Sequence, residues 1–414
     1  MGKEKGILVV DVGTTKVCAL IGEEREGELW VTGIGVAPSQ GLKKGMVLNI
    51  DEATQSIKNA IEKALSQAKI GIGSIYVSIA GPHIRTISGM GVVALRQKCV
   101  TEEDVEEVLR SAQNLNLPPE TEILHVIPQE YILDQQGGIL QPVGMTGVRL
   151  EAHVKLIVCN RSALQNLLRC FENLNLDVDG VIFQGLASAE AVLTPEEKEL
   201  GVVLLDFGGG TTDVVIYWDN VLRGVFSIQV GGEHLTNDLA VGLRTSRKEA
   251  ERLKIEKGVC LRELVEEEEI LEVTGIGNRP PRKVSKKFLA EILEPRVKEL
   301  FELIENELRK EVLSQFKGFD FKSKIGSGMV ITGGSSLIPG LVYLADQMFD
   351  LPARVGYPVR LYGLTEEVYH PQFSTAVGML LYAYKYGERS EGKEEREGIL
   401  QKIKQGIKKF LKGG

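Results

Sequence analysis

Short runs of apolar residues alternate along this chain with stretches in which apolar residues recur every three or four positions. The runs are typical of buried strands, and the periodic stretches of helices that cover a sheet. The runs of strand length are 6–13, 17–23, 74–80, 152–159, 201–208, 214–218 and 328–334. The helical stretches are 51–69, 101–115 (with a possible N-cap at Thr101), 162–175, 232–242, 246–257, 286–313 and 337–349. The alternation predicts an α/β architecture.

One unit of this pattern occurs twice. An apolar strand, an Asp-x-Gly turn with threonines and a second apolar strand occupy residues 7–22 and again residues 202–218. A repeat of this kind predicts two related halves, each of which contributes one turn to a shared site.

Both turns have a composition suited to phosphate binding. Glycine lets backbone N–H groups approach an anion closely, and threonine hydroxyls donate further hydrogen bonds. An aspartate at the start of each turn suits a hydrated Mg²⁺, which keeps most of its waters. The residues concerned are Asp11, Gly13, Thr14, Thr15 and Lys16 in the first turn, and Asp206, Gly208, Gly209, Gly210, Thr211 and Thr212 in the second. Neither turn fits GxxxxGK[ST] or GxGxxG, so the P-loop and dinucleotide-binding alternatives are rejected.

Composition narrows the class of protein. The formal net charge of −8, with 49 basic and 57 acidic side chains, gives no attraction for polyanions over the whole surface, so no nucleic-acid partner is expected. The five cysteines lack CxxC pairing and mostly lie in apolar segments, which predicts buried, reduced thiols. The N-terminal apolar run is too short for a signal peptide. No segment reaches the roughly 18 apolar residues of a membrane span, and 376–386 comes nearest. A cytoplasmic protein is therefore expected.

The end of the chain has a different character. Residues 387–398 are charged and read as a flexible linker. After it, one apolar stripe at helical spacing runs among lysines, and this pattern predicts an amphipathic helix over 399–414 that lies on anionic inner-membrane lipids. The stripe consists of Ile399, Leu400, Ile403, Ile407, Phe410 and Leu411. A helix that docks on the protein itself or on a partner is the alternative.

Five segments in order resemble the nucleotide-site motifs of the actin and Hsp70 ATPase superfamily. They are DVGTTK, FQGLASAEAVL (183–193), DFGGGTTD, EAERLK (249–254) and ITGGSSLIPG. The resemblance implies two lobes, each with a mixed sheet and flanking helices, that close over ATP and Mg²⁺. It implies that the two turns hold the phosphates, that Asp11 and Asp206 organise the metal through water, and that Gln184 places the attacking water with Asp206 taking part. It also implies that Glu251 and Lys254 flank the adenosine and that Gly333 and Gly334 let the backbone pass close to it. Whether hydrolysis proceeds at a useful rate stays open.

Residues 122–160 and 278–297 resemble the FtsA family of bacterial division proteins, and the likeness extends over essentially the whole chain. This resemblance implies an FtsA-type insert in the first lobe that makes protein contacts, including contacts with neighbouring copies. The implied subdomains are 1A (1–83 and 163–195), 1C (84–162), 2A (196–228 and 310–386) and 2B (229–309). The family match also places Arg282 and Arg296 where the C-terminal peptide of FtsZ docks, and arginine forks pair well with peptide carboxylates.

The expected function is that of a membrane adaptor in cell division. ATP would favour self-association into filaments, the tail would hold them at the division site on the cytoplasmic face of the membrane, and the second lobe would capture FtsZ. A PilM-like pilus-assembly protein and a phosphotransferase of the same superfamily are the alternatives. An Hsp70-type chaperone would need a further substrate domain for which the chain has no room. The five histidines show no metal-ligand spacing, and most of them are expected to be structural.

Overall fold

Two sheets carry the two Asp-x-Gly turns. The computed structural model describes residues 6–266, 269–277, 279–313 and 321–387, so the expected membrane helix and all of the expected linker except Gly387 lie outside the described residues. The strands are β1 (Gly6–Val12), β2 (Lys16–Arg25), β3 (Glu28–Pro38), β4 (Leu42–Lys43), β5 (Met46–Val47), β6 (Ile72–Ile79), β7 (Arg85–Ala94), β8 (Thr121–Leu133), β9 (Gln136–Ile139), β10 (Arg149–Asn160), β11 (Gly180–Phe183), β12 (Val202–Phe207), β13 (Thr212–Trp218), β14 (Val221–Ile228), β15 (Ile270–Val273), β16 (Arg282–Ser285), β17 (Met329–Thr332), β18 (Ala353–Val355) and β19 (Tyr362–Gly363).

The helices cover these sheets and connect them. They are α1 (Ile50–Gln67), α2 (Glu102–Ala112), α3 (Arg161–Glu172), α4 (Gln184–Val192), α5 (Pro195–Leu200), α6 (Gly232–Gly242), α7 (Arg247–Lys257), α8 (Lys286–Leu313), α9 (Leu341–Phe349), α10 (Thr365–Val368) and α11 (Ser374–Tyr386).

The strand order repeats between the two sheets. The first lobe has the order β11-β6-β1-β2-β3-β19, and the second sheet begins β18-β17-β12-β13-β14. In each lobe an antiparallel hairpin that holds the Asp-x-Gly turn is flanked by a parallel strand, β6 beside β1 and β17 beside β12. The mixed sheets and the two related halves predicted from the sequence are therefore confirmed.

An inserted unit extends the second sheet. Its strands follow β14 in the order β7-β10-β8-β9, and β7 pairs with β14 at Arg85 and Phe226. Helix α2 covers this part of the sheet so closely that a Cβ on Gly91 would lie 2.1 Å from the Val108 carbonyl oxygen. The predicted N-cap at Thr101 is confirmed, since its side chain accepts from Asp104 N and Asp104 bonds back to the Thr101 N–H.

Helices α4 and α11 pack against each other and contact strands of both sheets. A Cβ on Gly378 of α11 would lie 1.7 Å from the carbonyl oxygen of Ala187 in α4, so the two backbones are in direct contact. The apolar segment 376–386 belongs to α11, which has 13 residues and a buried N-terminal half. Within the described ranges, no helix combines the length and the apolar character needed to cross a membrane.

The ends of several predicted helices differ from the structure. The helix expected over 337–349 begins at Leu341, because Gly340 has a φ of +90° and the preceding residues form turns. The helix expected over 101–115 ends at Ala112. All five cysteines are free, and four are buried as expected, whereas Cys99 is exposed.

Candidate functional site

The first Asp-x-Gly turn is a tight connection between β1 and β2. Asp11 pairs with Cys18 and Val12 with Val17 in the register of the hairpin, and Gly13 N donates to the Lys16 carbonyl oxygen at 3.0 Å. The apolar residues of both strands are buried in the core of the first lobe, so the turn is presented on a rigid base.

A hydrogen-bonded cluster surrounds the Asp11 carboxylate. Asp11 Oδ1 accepts from Ser78 Oγ at 2.9 Å and from Gln184 Nε2 at 3.0 Å. The same amide group of Gln184 lies 2.9 Å from Ser78 Oγ, and Ser78 Oγ accepts from Val12 N at 2.9 Å. The structure therefore brings the predicted catalytic glutamine to Asp11 in the first lobe.

Asp206 in the second lobe has a separate set of partners. Its Oδ2 accepts from Ser188 Oγ of α4 and, at 3.2 Å, from Thr375 Oγ1 of α11. Both crossing helices therefore contact this carboxylate. In the β12–β13 hairpin, Asp206 pairs with Asp213, and directly paired residues lie on the same face of a sheet.

Burial raises the pKa of all three carboxyl groups. The pKa of Asp11 rises to about 6 and that of Asp213 to about 8, and the pKa of Asp206 is raised as well. In each case desolvation is the largest cause, and neighbouring carboxylates raise the pKa of Asp11 and Asp213 further. A site that concentrates buried carboxylates in this way favours a cation.

The two turns face each other across the seam between the lobes. A Cβ on Gly209 would lie 2.5 Å from Thr15 Cγ2, and a Cβ on Gly210 would lie 2.5 Å from Thr14 Oγ1. Glycine is therefore required at both positions for the turns to approach. Of the neighbouring threonines, Thr212 donates its hydroxyl to the Val230 carbonyl oxygen at 2.8 Å. Thr211 is buried.

Lys16 lies beside the segment that leads into α11. Its Nζ donates to the carbonyl oxygen of Gln372 at 2.6 Å and lies 4.0 Å from the centre of the Phe373 ring. Burial lowers the pKa of Lys16, whereas the nearby Asp11 and Asp206 carboxylates act in the opposite direction. Lys16 thus brings a cation close to both aspartates.

Glu251 and Lys254 form one cluster on α7. Lys254 Nζ lies 2.8 Å from Glu251 Oε2 and donates to the Gly232 carbonyl oxygen at 3.1 Å and to Thr236 Oγ1 at 2.9 Å. A Cβ on Gly232 would lie 2.4 Å from Ser335 Oγ, so the cluster borders the turn that follows β17. The predicted adenosine-side residues are therefore neighbours.

Gly333 connects that turn to Asp206. With a φ of +88°, its added Cβ would lie 2.6 Å from Asp206 Oδ1 and 2.6 Å from the Phe207 carbonyl oxygen. For Gly334 the nearest atom, Gln372 Cβ, lies 3.9 Å away. Only the first glycine of the pair is required by the packing of the protein itself.

The residues present fit a Mg²⁺–nucleotide. Asp213 Oδ1 is buried and, among the described residues, has no hydrogen-bond partner, so a hydrated cation would satisfy it. Two glycine turns with backbone N–H groups suit the phosphates that accompany such a cation.

Arg282 and Arg296 both contact the region of α6. Arg282 donates from Nη2 to the carbonyl oxygen of Leu243, which follows α6 directly. Arg296 donates two hydrogen bonds to the carboxylate of Asp238 in α6, from Nε at 2.6 Å and from Nη2 at 3.1 Å. The two predicted partner-binding arginines thus lie in one area of the second lobe, and each has a partner within the chain.

Sequence reasoning missed Asp213, Ser78, Ser188 and Thr375. The sequence did contain a signal for Asp213. It follows Asp206 by seven positions across a four-residue turn, and this spacing places it opposite Asp206 on the same face of the hairpin. The two serines and the threonine lie on elements distant in sequence, so no local pattern marks them.

Two of the five histidines accept hydrogen bonds from backbone N–H groups. Buried His125 accepts from Phe183 N at 3.1 Å, and desolvation lowers its pKa to about 4. His234 Nδ1 accepts from Gly231 N at 3.1 Å at the start of α6.

Comparison with known sequences gives full-length relatives. The family described as cell division protein FtsA matches residues 203–378, and the family described as SHS2 domain inserted in FTSA matches residues 81–158. The chain is 43% identical over 389 residues to the cell division protein FtsA of Pseudomonas aeruginosa, covering 94% of this chain and 91% of that protein. It is 40% identical to the cell division protein FtsA of Neisseria meningitidis, covering 98% of each.

Comparison with solved structures supports the fold. A chain of the PilM-PilN type IV pilus biogenesis complex aligns with a TM-score of 0.62 at 15% identity, covering 92% of this chain and 99% of that one. MreB 5 of Spiroplasma citri bound to AMPPNP aligns with a TM-score of 0.55 at 14% identity, covering 98% and 99%. The predicted actin-like ATPase fold with an FtsA-type insert is confirmed.

Proposed function

The chain belongs to the FtsA family of cell division proteins, and from this membership we propose that it binds Mg-ATP between its lobes, associates with further copies and tethers FtsZ filaments to the membrane. The single observation that carries the nucleotide part is the close approach of the two glycine turns at Gly209 and Thr15, with buried carboxylates on either side.

Each group of the site has a role in this proposal. The backbone and hydroxyl groups of the two turns, together with Lys16, hold the phosphates, and Glu251 and Lys254 border the adenosine. Asp11 and Asp206 hold Mg²⁺ through its waters, as suits an ion that dehydrates reluctantly. When bound, the metal neutralises charge on the phosphates. Gln184 orients water beside Asp11 in any turnover.

FtsZ binding is proposed for the α6–α8 side of the second lobe. Arg282 and Arg296 present guanidinium groups in one area, and such groups recognise carboxylates of a peptide through paired hydrogen bonds. Because Asp238 already occupies two donors of Arg296, an incoming carboxylate has to compete with it.

Membrane attachment is proposed for residues 399–414, whose sequence has six apolar residues at helical spacing among lysines. Each lysine near an anionic leaflet contributes about 1 kcal/mol, so one copy binds reversibly. Filaments of several copies bind firmly, because the second and later tails attach at high effective concentration. The proposal places the protein on the cytoplasmic face of the membrane at the division site.

Co-sedimentation with anionic liposomes tests the proposal. Full-length protein and a chain ending at Gly398 are compared with Mg-ATP present and with an FtsZ tail peptide added. A full-length Ile403→Asp, Ile407→Asp variant serves as matched control, since it keeps the length and the lysines. We expect only the full-length wild type to pellet, with the peptide. If the chain ending at Gly398 pellets equally, the tail is not the anchor.

A further inference from the structure

A two-residue turn of the first lobe lies on the seam between the two phosphate turns. Strands β4 and β5 pair antiparallel through Leu42 with Val47 and Lys43 with Met46. Lys44 and Gly45 connect them with φ values of +52° and +77°, the combination that closes a two-residue hairpin. This small hairpin therefore presents Lys44 at a fixed point.

The backbone of this turn contacts both phosphate turns. Gly45 N donates to Thr14 Oγ1 of the first turn at 3.0 Å. A Cβ on Gly210 of the second turn would lie 3.0 Å from Lys44 Cα. The hairpin is thus packed where the lobes meet.

The Lys44 side chain crosses to the other lobe. Its Nζ donates to Gln229 Oε1 at 3.0 Å, and Gln229 directly follows β14. The segment after Gln229 is bonded to the second phosphate turn, since Gly232 N donates to the Gly208 carbonyl oxygen at 2.9 Å and Glu233 N to that of Gly209 at 2.8 Å. The hydrogen bond from Lys44 to Gln229 therefore links the β4–β5 hairpin to the segment that holds the second phosphate turn.

We propose that Lys44 is a positioning residue of the nucleotide site, whose hydrogen bond to Gln229 latches the lobes so that both phosphate turns face each other before nucleotide binds. This inference rests on the proposed binding of Mg-ATP between the lobes. A latch that raises the population of the competent arrangement tightens apparent affinity by the same factor. For one hydrogen bond from the charged, half-buried Lys44 to the exposed Gln229 we expect about three- to tenfold.

The chain supplies a matched control. Lys43 belongs to the same hairpin and has the same charge, but it is exposed. Lys43→Gln therefore reproduces any effect of charge loss near the seam without touching the latch. A swap variant, Lys44→Gln with Gln229→Lys, rebuilds the hydrogen bond with donor and acceptor exchanged.

The experiment measures two quantities on full-length protein. The first is the Kd for Mg-ATP of the wild type, Lys44→Gln, Gln229→Ala, their combination, the swap variant and Lys43→Gln. The second is the distance distribution, without ligand, between spin labels at Lys58→Cys on α1 and Lys257→Cys on α7 in a Cys99→Ser background. All variants are first checked for an unchanged thermal midpoint.

We expect both single variants to raise the Kd about three- to tenfold, with no further rise in their combination and with recovery in the swap. The distance distribution should broaden in the single variants and stay unchanged in Lys43→Gln. The latch is refuted if Lys44→Gln alone raises the Kd while Gln229→Ala matches the wild type, because Lys44 then acts on phosphate directly. An unchanged ligand-free distance distribution in both single variants also refutes it. Absence of Mg-ATP binding by the wild type would instead refute the proposed function, and the ligand-free distances would still decide on the latch.

Discussion

Gln184 donates a hydrogen bond from Nε2 to Asp11 Oδ1 at 3.0 Å, so the glutamine that begins α4 and the penultimate residue of β1 form one unit in the first lobe. Asp206, across the seam, is held instead by Ser188 and Thr375. The two aspartates predicted to organise the metal are therefore held by different side chains, although Gln184 and Ser188 both lie on α4. Replacing Gln184 changes the surroundings of only one of them.

Gln184→Ala should separate turnover from binding. The amide orients Asp11 and donates to the Val12 carbonyl oxygen at 3.3 Å, and the same group is in place to orient water, whereas its described hydrogen bonds do not reach Gly13 to Lys16. We expect ATP turnover to fall by about 100-fold, the scale of a misplaced reacting group, with Mg-ATP affinity changed less than about threefold. Phosphate release and equilibrium nucleotide binding measure the two effects. Turnover at the wild-type rate would remove Gln184 from the proposed mechanism.

Asp213→Asn should change how stability depends on pH. Burial raises the pKa of Asp213 to about 8. Between about pH 4 and 8 the folded chain therefore keeps a proton that the unfolded chain has already released. The contribution of this group to stability therefore falls as pH rises through that window. Asparagine cannot ionise. The free energy of unfolding of the variant, relative to that of the wild type, should therefore rise by at most about 1.4 kcal/mol per pH unit.

Denaturant unfolding at pH 5, 6, 7 and 8, without Mg²⁺ or nucleotide, measures this difference. Cys18→Ser is the matched control, since Cys18 occupies the position in the first hairpin that Asp213 occupies in the second. Its buried thiol has a pKa raised to about 12 and stays neutral over the range. A constant difference between Asp213→Asn and wild type at all four pH values would contradict the prediction.

Local patterns along the sequence predicted the elements that hold the site. The strands on both sides of Asp11 and Asp206 are buried on two faces and therefore read as continuous apolar runs, which single-sequence reasoning detects well. The repeat of strand, turn and strand then predicted two facing turns, and the structure has this arrangement. The strands of the insert were largely missed, because β7 alternates glycine with apolar residues and lacks a continuous apolar run.

The partners of the site residues were beyond local patterns. Ser188 and Thr375 meet at Asp206 although 187 residues separate them, and that meeting depends on the crossing of α4 and α11. Long-range packing decides this feature. The start of α9 was also placed too early, although Pro339 and Gly340 are a local turn signal in the sequence.

Gly333→Ala should destabilise the second lobe, whereas Gly334→Ala should not. At Gly333 the new methyl group would meet Asp206 Oδ1 and the Phe207 carbonyl oxygen at 2.6 Å, and the φ of +88° disfavours any side chain. We expect a loss of about 1–3 kcal/mol in the free energy of unfolding. At Gly334 the nearest atom is 3.9 Å away, so alanine fits. Equal midpoints for the two variants in denaturant unfolding would show that the turn relaxes around the methyl group.

Opposite changes in FtsZ-tail affinity are expected from the two members of the Arg296–Asp238 pair. Arg296→Ala removes the guanidinium that is proposed to bind a peptide carboxylate, and we expect binding about tenfold weaker, the scale of one charge-assisted hydrogen bond. Asp238→Asn removes one of the two carboxylates that pair with the same guanidinium, the other being Glu299, and we expect binding tighter by about two- to fivefold.

Fluorescence anisotropy with a labelled FtsZ tail peptide measures both affinities, and the salt dependence adds a second criterion. If Arg296 binds a carboxylate, the affinity of Asp238→Asn should fall more steeply with added salt than that of Arg296→Ala, because one more ionic contact is made. Arg252→Ala is the control, since this arginine pairs with Glu249 and Glu256 on the outer side of α7. If Asp238→Asn and Arg296→Ala weaken binding equally, the pair serves to hold α6 against α8. The peptide then binds to other groups, and Arg296 has a structural role.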